Sequence, residues 1–187
     1  MIRRPLLTSR NKLVLGVGEN IIADSDKAEK ETDMDTDVDN QRLMKTLDDA
    51  WNSQDWDTFN SRHAENVAVY WPGQPMPTTG RHNHKAESIE FFKAFPDNHI
   101  DNDPYKVLFS QGDWTCSVAR FTGTMKGPMK GPDGKMIPAT NKKFEVEFCT
   151  VAHWKDGEIV EEKLFYDLVG LLRQIGVMTN PSEEKAA

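Results

Sequence analysis

The sequence is short of cysteine, of long apolar runs and of basic charge. Its 187 residues include two cysteines, Cys116 and Cys149. Both fall in runs that read as strands, so neither a disulfide framework nor a zinc site built from closely spaced ligands is expected. They are expected instead as small buried hydrophobes. The longest apolar run near the N-terminus is "LVLGVG". It is too short to cross a bilayer, and no small-residue cleavage site follows it. A cytoplasmic protein with no membrane partner is expected. The formal net charge is −7, without the basic footprint that nucleic-acid binding requires.

The charge that is present is unevenly placed. Residues 24–39 hold eight acids against Lys27 and Lys30, while residues 1–23 hold four basic residues against Glu19. Residues 1–38 lack periodic apolar positions and read as a poorly ordered acidic tail, 39–180 as one domain, and 181–187 as a second tail. The run "DMDTDVD" has the opening of a calcium loop. Val38 stands where such a loop needs glycine and Met44 where it needs glutamate, so calcium is not expected.

From residue 40 the period is helical. Leu43, Met44, Leu47, Ala50 and Trp51 mark a first helix over about 40–52, and "DWDTFNSRH" a second, with His63 near its C-terminal end. "NVAVYWPG" reads as a strand ended by proline and glycine. "RHNHKAESIEFFKAF" reads as a third helix with Ala86, Ile89, Phe92 and Phe95 inward. The period then changes to two. "YKVLFS", "DWTCSVARFTG", "KKFEVEFCTVAHW" and "EIVEEKLFYD" are strands joined in part by the tight turns "SQGD" and "KDG". A short helix over 168–175 ends at Gly176. This order predicts an α+β fold, a mostly antiparallel sheet with helices on one face. Strands of about ten residues must twist and curl, giving a cone around an apolar pocket.

Three pieces carry a family resemblance: "LDDAWNSQDWDTF", "FPDNHIDNDPYKVLFSQGDWTCSVARFTGTMKG" and "KFEVEFCTVAHWKDGEIVEEKLFYDLVGLLRQIG". In this order and spacing, over roughly residues 40–178, the chain resembles the SnoaL-like polyketide cyclase, or ester cyclase, family of the nuclear transport factor 2-like superfamily. The resemblance implies a cone-shaped, cystatin-like sheet with three helices packed on its concave face. It implies Asp167 as the general base of an intramolecular aldol ring closure, with no metal or cofactor. The function expected on that basis is a cyclase, isomerase or lyase acting on a small hydrophobic carbonyl compound. The fold also hosts plain binding modules, so a non-catalytic ligand-binding or dimeric interaction module is the alternative.

The residues themselves leave Asp167 two roles. It stands between a strand and a helix, where its carboxylate can cap the helix or act as a base among Leu164, Phe165 and Tyr166. Lys163, two strand positions from Phe165, is placed to reach it. His99 and His153 are the candidate acid–base partners, and His99 or Tyr70 the donor for an enolate oxygen. Which face of the 144–154 strand points inward is open, because both faces are apolar. Tyr70, Trp71, Tyr105, Trp114 and Phe165 are expected in the pocket wall, with Arg120 either paired to Glu147 or Glu162 or binding ligand. His82 and His84 form an H-x-H pair without a third ligand at helical spacing, so they read as solvated helix-start residues and no metal is expected. The Gly- and Lys-rich connection 124–141 is a candidate lid. A sheet with two apolar faces predicts a homodimer.

Overall fold

The computed structural model describes residues 37–131 and 134–179. The expected tails, 1–38 and 181–187, lie outside the described residues, apart from 37 and 38, which are helical.

Helix α1 covers residues 37–53 of the described chain. Met44, Leu47, Ala50 and Trp51 form its buried stripe. Asp48 lies within that stripe, one turn after Met44 and one before Trp51, and is buried with them. The helix is pinned where it matters. Trp51 Nε1 donates to Asn98 Oδ1 at 2.7 Å, and the Asn52 amide exchanges two 2.8 Å hydrogen bonds with the backbone of Ile100. Helix α2, Trp56–Ser61, is capped by Asp55, whose side chain accepts from Thr58 N. It stops earlier than the sequence suggested. His63 is the first residue of strand β1 (His63–Tyr70) and fully buried, and its ring reaches back to Phe59 O in the last turn of α2.

After β2 (Thr78–Thr79) comes α3, Arg81–Ala94. Its buried side differs from the expected one. Phe92 and Phe95 are inside, but Ala86 is exposed and Ile89 half-buried, while His84 and Ser88 are buried. Aromatic packing decides the rotation: Phe92 lies 5.0 Å from Trp51, and Phe91 stacks 5.8 Å from Phe121. His84 thereby turns inward, against its reading as a solvated residue.

The remaining strands are β3 (His99–Asp101), β4 (Val107–Gln111), β5 (Trp114–Thr124), the small β6 (Met129–Lys130) and β7 (Met136–Ile137) pair, β8 (Lys143–Lys155) and β9 (Glu158–Phe165). The main sheet runs β2-β1-β9-β8-β5-β3, with β4 also on β5. Only the β1–β9 pairing is parallel among the described strands. This is the expected α+β architecture, a curled, mostly antiparallel sheet with α1–α3 packed on its inner face. The last helix, α4 (Leu168–Gln174), is tied to β8 by Gln174, which bonds both backbone groups of Glu145.

Alternation along β8 settles the open question of its faces. Phe144, Val146, Phe148, Thr150, Ala152 and Trp154 point inward, and His153 points outward. On β9 alternation is broken. Trp154 pairs with Ile159 and His153 with Glu161, leaving Val160 as an extra residue. This β-bulge puts Ile159, Glu162 and Leu164 on the same inward face, although Ile159 and Glu162 are three apart.

The 124–141 connection straps α3. Met125 is fully buried, and the Lys126 and Gly127 amides both donate to Ala94 O at the helix end. A Cβ at Gly127 would lie 2.0 Å from Lys93 O. Gly127→Ala is therefore expected to destabilise the protein by roughly 1–3 kcal/mol, read as a lower denaturant midpoint.

Candidate active site

Inside the cone is a narrow cavity of about 30 Å³, within some 450 Å³ of atom-free space that includes open solvent at its mouth. Phe59, Trp71, Phe91, Phe121, Phe148 and Tyr166 supply ring surfaces, and Asp48, His84, Thr150 and Glu162 supply polar groups. A wall of rings with a few convergent polar groups suits a flat, largely apolar ligand.

Asp48 projects from the apolar stripe of α1. Tyr105 Oη donates to its Oδ2 at 2.7 Å. Burial raises the Asp48 carboxyl to about 7, because the charged form loses water. The Tyr105 bond opposes this rise and the nearby Glu162 charge adds to it. Tyr105 itself is pushed well above the usual phenol range by burial and by Asp48, so it stays a donor.

Opposite stand His84, Glu162 and, behind them, His63. Glu162 Oε2 lies 3.4 Å from His63 Nε2 and 3.4 Å from His84 Nε2. Burial and the adjoining His63 hold His84 down to about 3, so its imidazole is neutral at pH 7. Burial pushes Glu162 up, yet interaction with His63 and His84 outweighs it and the net shift is downward. His63 Nδ1 lies 2.9 Å from Phe59 O. A carbonyl only accepts, so Nδ1 carries the proton. Trp71 Nε1 and His84 Nδ1 are buried without a protein partner.

The residues expected from sequence divide sharply. Trp71 lines the cavity, and Tyr105 supports it through Asp48. The others lie elsewhere. Asp167 is exposed and caps α4, its Oδ1 accepting from Gly170 N at 2.8 Å. Of its two possible roles, the geometry assigns it the cap. Lys163 does not reach it; it pairs with Glu161 on the outer face and sits 5.8 Å from the Tyr70 and Trp114 rings. His153 stacks on Trp114 at 4.4 Å on that same outer face. Tyr70, Trp114 and Phe165 are exposed there. His99 faces outward beside Asp101, because β3 turns Ile100 to the cavity instead. Arg120 is more than half exposed and pairs with Asp101 and Glu145, not with Glu147 or Glu162. No described residue of the 124–141 connection lines the cavity.

A family model described as SnoaL-like polyketide cyclase matches residues 41–175. The chain belongs to this family. Among solved structures, a protein from Jannaschia sp. CCS1, provisionally described as a SnoaL-like polyketide cyclase, is 21% identical. The match covers 76% of this chain and 95% of that one, with a TM-score of 0.67. TsrD from Streptomyces laurentii is 23% identical over 75% and 97% of the two chains, with a TM-score of 0.62. IdmH from Streptomyces antibioticus is 24% identical over 72% and 96%, with a TM-score of 0.60. At these identities the likeness is one of fold. No curated protein matches the chain.

In this SnoaL-like chain, sequence reasoning passed over Asp48, and it set aside His63 as a helix-end residue, His84 as a solvated one and Glu162 as a possible partner of Arg120. One signal was readable: an acid at position 48 inside the stripe of Met44, Leu47 and Trp51 is either a misfit or a functional group. Since the Tyr105 bond favours ionised Asp48, Tyr105→Phe is expected to raise its pKa above 7, read from carbon-13 NMR of labelled aspartate. The sign for stability follows. Asp48 binds its proton more tightly folded than unfolded, so its contribution is complete below about pH 4 and is lost as pH rises through about 7. Asp48→Asn is expected to flatten that fall, measured as Tm against pH.

Proposed function

We propose that the chain is a polyketide cyclase-like enzyme that removes a proton from carbon beside a carbonyl in a small, flat, hydrophobic compound. The base is Asp48, and the products belong to aldol cyclisation, isomerisation or related lyase chemistry. The observation that carries this reading is the buried Asp48 carboxyl at the cavity wall, raised to about 7. A base poised near the working pH combines availability with proton affinity. Near pH 7 such a carboxyl is divided between its two forms, so the carboxylate that accepts the proton is available at little cost.

The step balances without a co-reactant. Asp48 takes the proton, and the electron pair of the C–H bond moves onto the carbonyl oxygen as an enolate. Trp71 Nε1–H is a buried donor without a protein partner in the same wall, suited to an oxygen that gains charge. Tyr105 holds the Asp48 carboxylate in place during the transfer. Return of the proton to a second carbon gives isomerisation; attack of the enolate on a second carbonyl closes a ring. The ring-lined walls of the narrow cavity leave little room for competing water.

A second reading, a ligand-binding module, is favoured by one observation: the family-matched Asp167 serves only as a helix cap. Hydrogen–deuterium exchange distinguishes the two. With a panel of aromatic β-keto esters in deuterated buffer, the enzyme is expected to exchange the proton beside the carbonyl, followed by proton NMR. Asp48→Asn should lose roughly 10²–10⁴-fold of that rate, and Asp167→Asn should keep it. In the wild type the rate should rise with pH through about 7. Exchange untouched in Asp48→Asn would remove Asp48 as the base, and binding without any exchange would favour the module.

The expected homodimer is part of this proposal, supported by Phe109, Trp114 and Phe165, each exposed on the outer sheet face. Light scattering at micromolar concentration is expected to give twice the chain mass.

A further inference from the structure

The His63–His84–Glu162 group takes no direct part in the proton transfer just described, beyond the Glu162 charge that helps raise Asp48, yet all three residues are buried. The three residues are at most 4% exposed. One donor atom from each lies within 4.8 Å of the others. Because His63 Nδ1 spends its proton on Phe59 O, a neutral His63 presents the lone pair of Nε2. That lone pair faces the Glu162 carboxylate oxygen at 3.4 Å, and neither atom has a hydrogen-bond partner. Two electron-rich atoms in a dry site repel, so a positive centre belongs between them, either a proton or a metal ion.

The spacing separates the two. A charge-assisted hydrogen bond would draw N and O to about 2.7–2.9 Å. Donors arranged tetrahedrally around an ion at about 2.0–2.2 Å stand about 3.3–3.6 Å apart. Glu162 keeps 3.4 Å to both imidazoles, while the two histidine donors are held only within 4.8 Å of each other, so loading an ion requires them to close in. The bond from His63 Nδ1–H to a backbone carbonyl is also the outer contact that holds a metal-ligating histidine in the correct tautomer. Two imidazoles and one carboxylate suit a first-row divalent ion such as zinc, cobalt or iron.

We infer that His63, His84 and Glu162 form a binding site for one divalent first-row transition ion at the cavity wall. His84 and Glu162 both line the cavity, so a ligand oxygen can take a remaining coordination position. An ion there would polarise a carbonyl while Asp48, outside the ligand set, takes the proton. This inference goes beyond the proton-transfer proposal and does not depend on it. It also departs from the expectation of no metal, which rested on the missing third ligand near His82 and His84.

The test uses the full chain, stripped with a chelator and titrated with Co²⁺. Expected are one Co²⁺ per chain, visible d–d bands of a four- or five-coordinate site, displacement by one equivalent of Zn²⁺, and a rise in Tm on loading. Glu162→Gln and His84→Gln should each weaken Co²⁺ binding at least about 10-fold, and Asp48→Asn should bind as the wild type does. Absence of stoichiometric Co²⁺ and Zn²⁺ uptake by the wild type overturns the inference, and that arm needs no variant to fold. So does uptake undiminished in both ligand variants. Nitrogen-15 shifts of an imidazolium at His63 in a chain that takes up no ion would show a proton in the ion's place, which overturns it as well.

Discussion

Placing ionisable groups in an apolar interior is costly unless each meets a partner, and the interior of this protein is arranged around that constraint. Asp48, His63, His84 and Glu162 are all buried within one cone of aromatic side chains. Their environments push them apart. Asp48, held by a neutral phenol, moves up towards 7; Glu162, beside two imidazoles, moves down; His84 is kept neutral. Separation of carboxyl affinities within one small space is how a single cavity holds both a proton acceptor and a fixed charge.

Much of the scaffold serves to hold these groups still. Asn52 and Trp51 lock α1 to β3 and to Asn98, which sets the height of Asp48. The ring contacts of Phe91 and Phe92 set the rotation of α3 and so the direction of His84. The bulge at Val160 aims Glu162. The parallel pairing of β1 with β9 brings His63 beside it. Four elements far apart in the chain thus converge on one site, which is the usual consequence of building a pocket within a curled sheet.

The outer face of the sheet has a different character. Lys163, Glu161, Tyr70, Trp114 and His153 form a mixed aromatic and charged surface. It drew the sequence reading because its residues look chemically equipped. Exposed aromatic groups in alternating strands are ambiguous between pocket and partner surface, since a strand that is apolar on both faces carries no sign of which side is in. Arg120 illustrates the point: alternation groups it with Trp114, Cys116 and Val118, and that face is the outer one.

Period and turn chemistry by themselves determined the class of fold: three helical segments and one early strand before residue 95, a period of two after it, tight turns at "SQGD" and "KDG", and strands long enough to curl. The order of the three matched segments determined the family. The sequence also contained one legible clue to the site, the acid within the apolar stripe of α1. Only the tertiary structure decided which face of β8 and β9 is inward, because a single bulged residue reverses alternation and no local pattern announces it. Only the tertiary structure brought His63, His84 and Glu162 together, because metal-like spacing in space does not require close spacing in sequence. And only there did Asp167, the most suggestive acid in the chain, become a helix cap: its backbone position at the strand–helix join was readable, but the direction of its carboxylate depends on the free amides of α4 lying closer than the cavity.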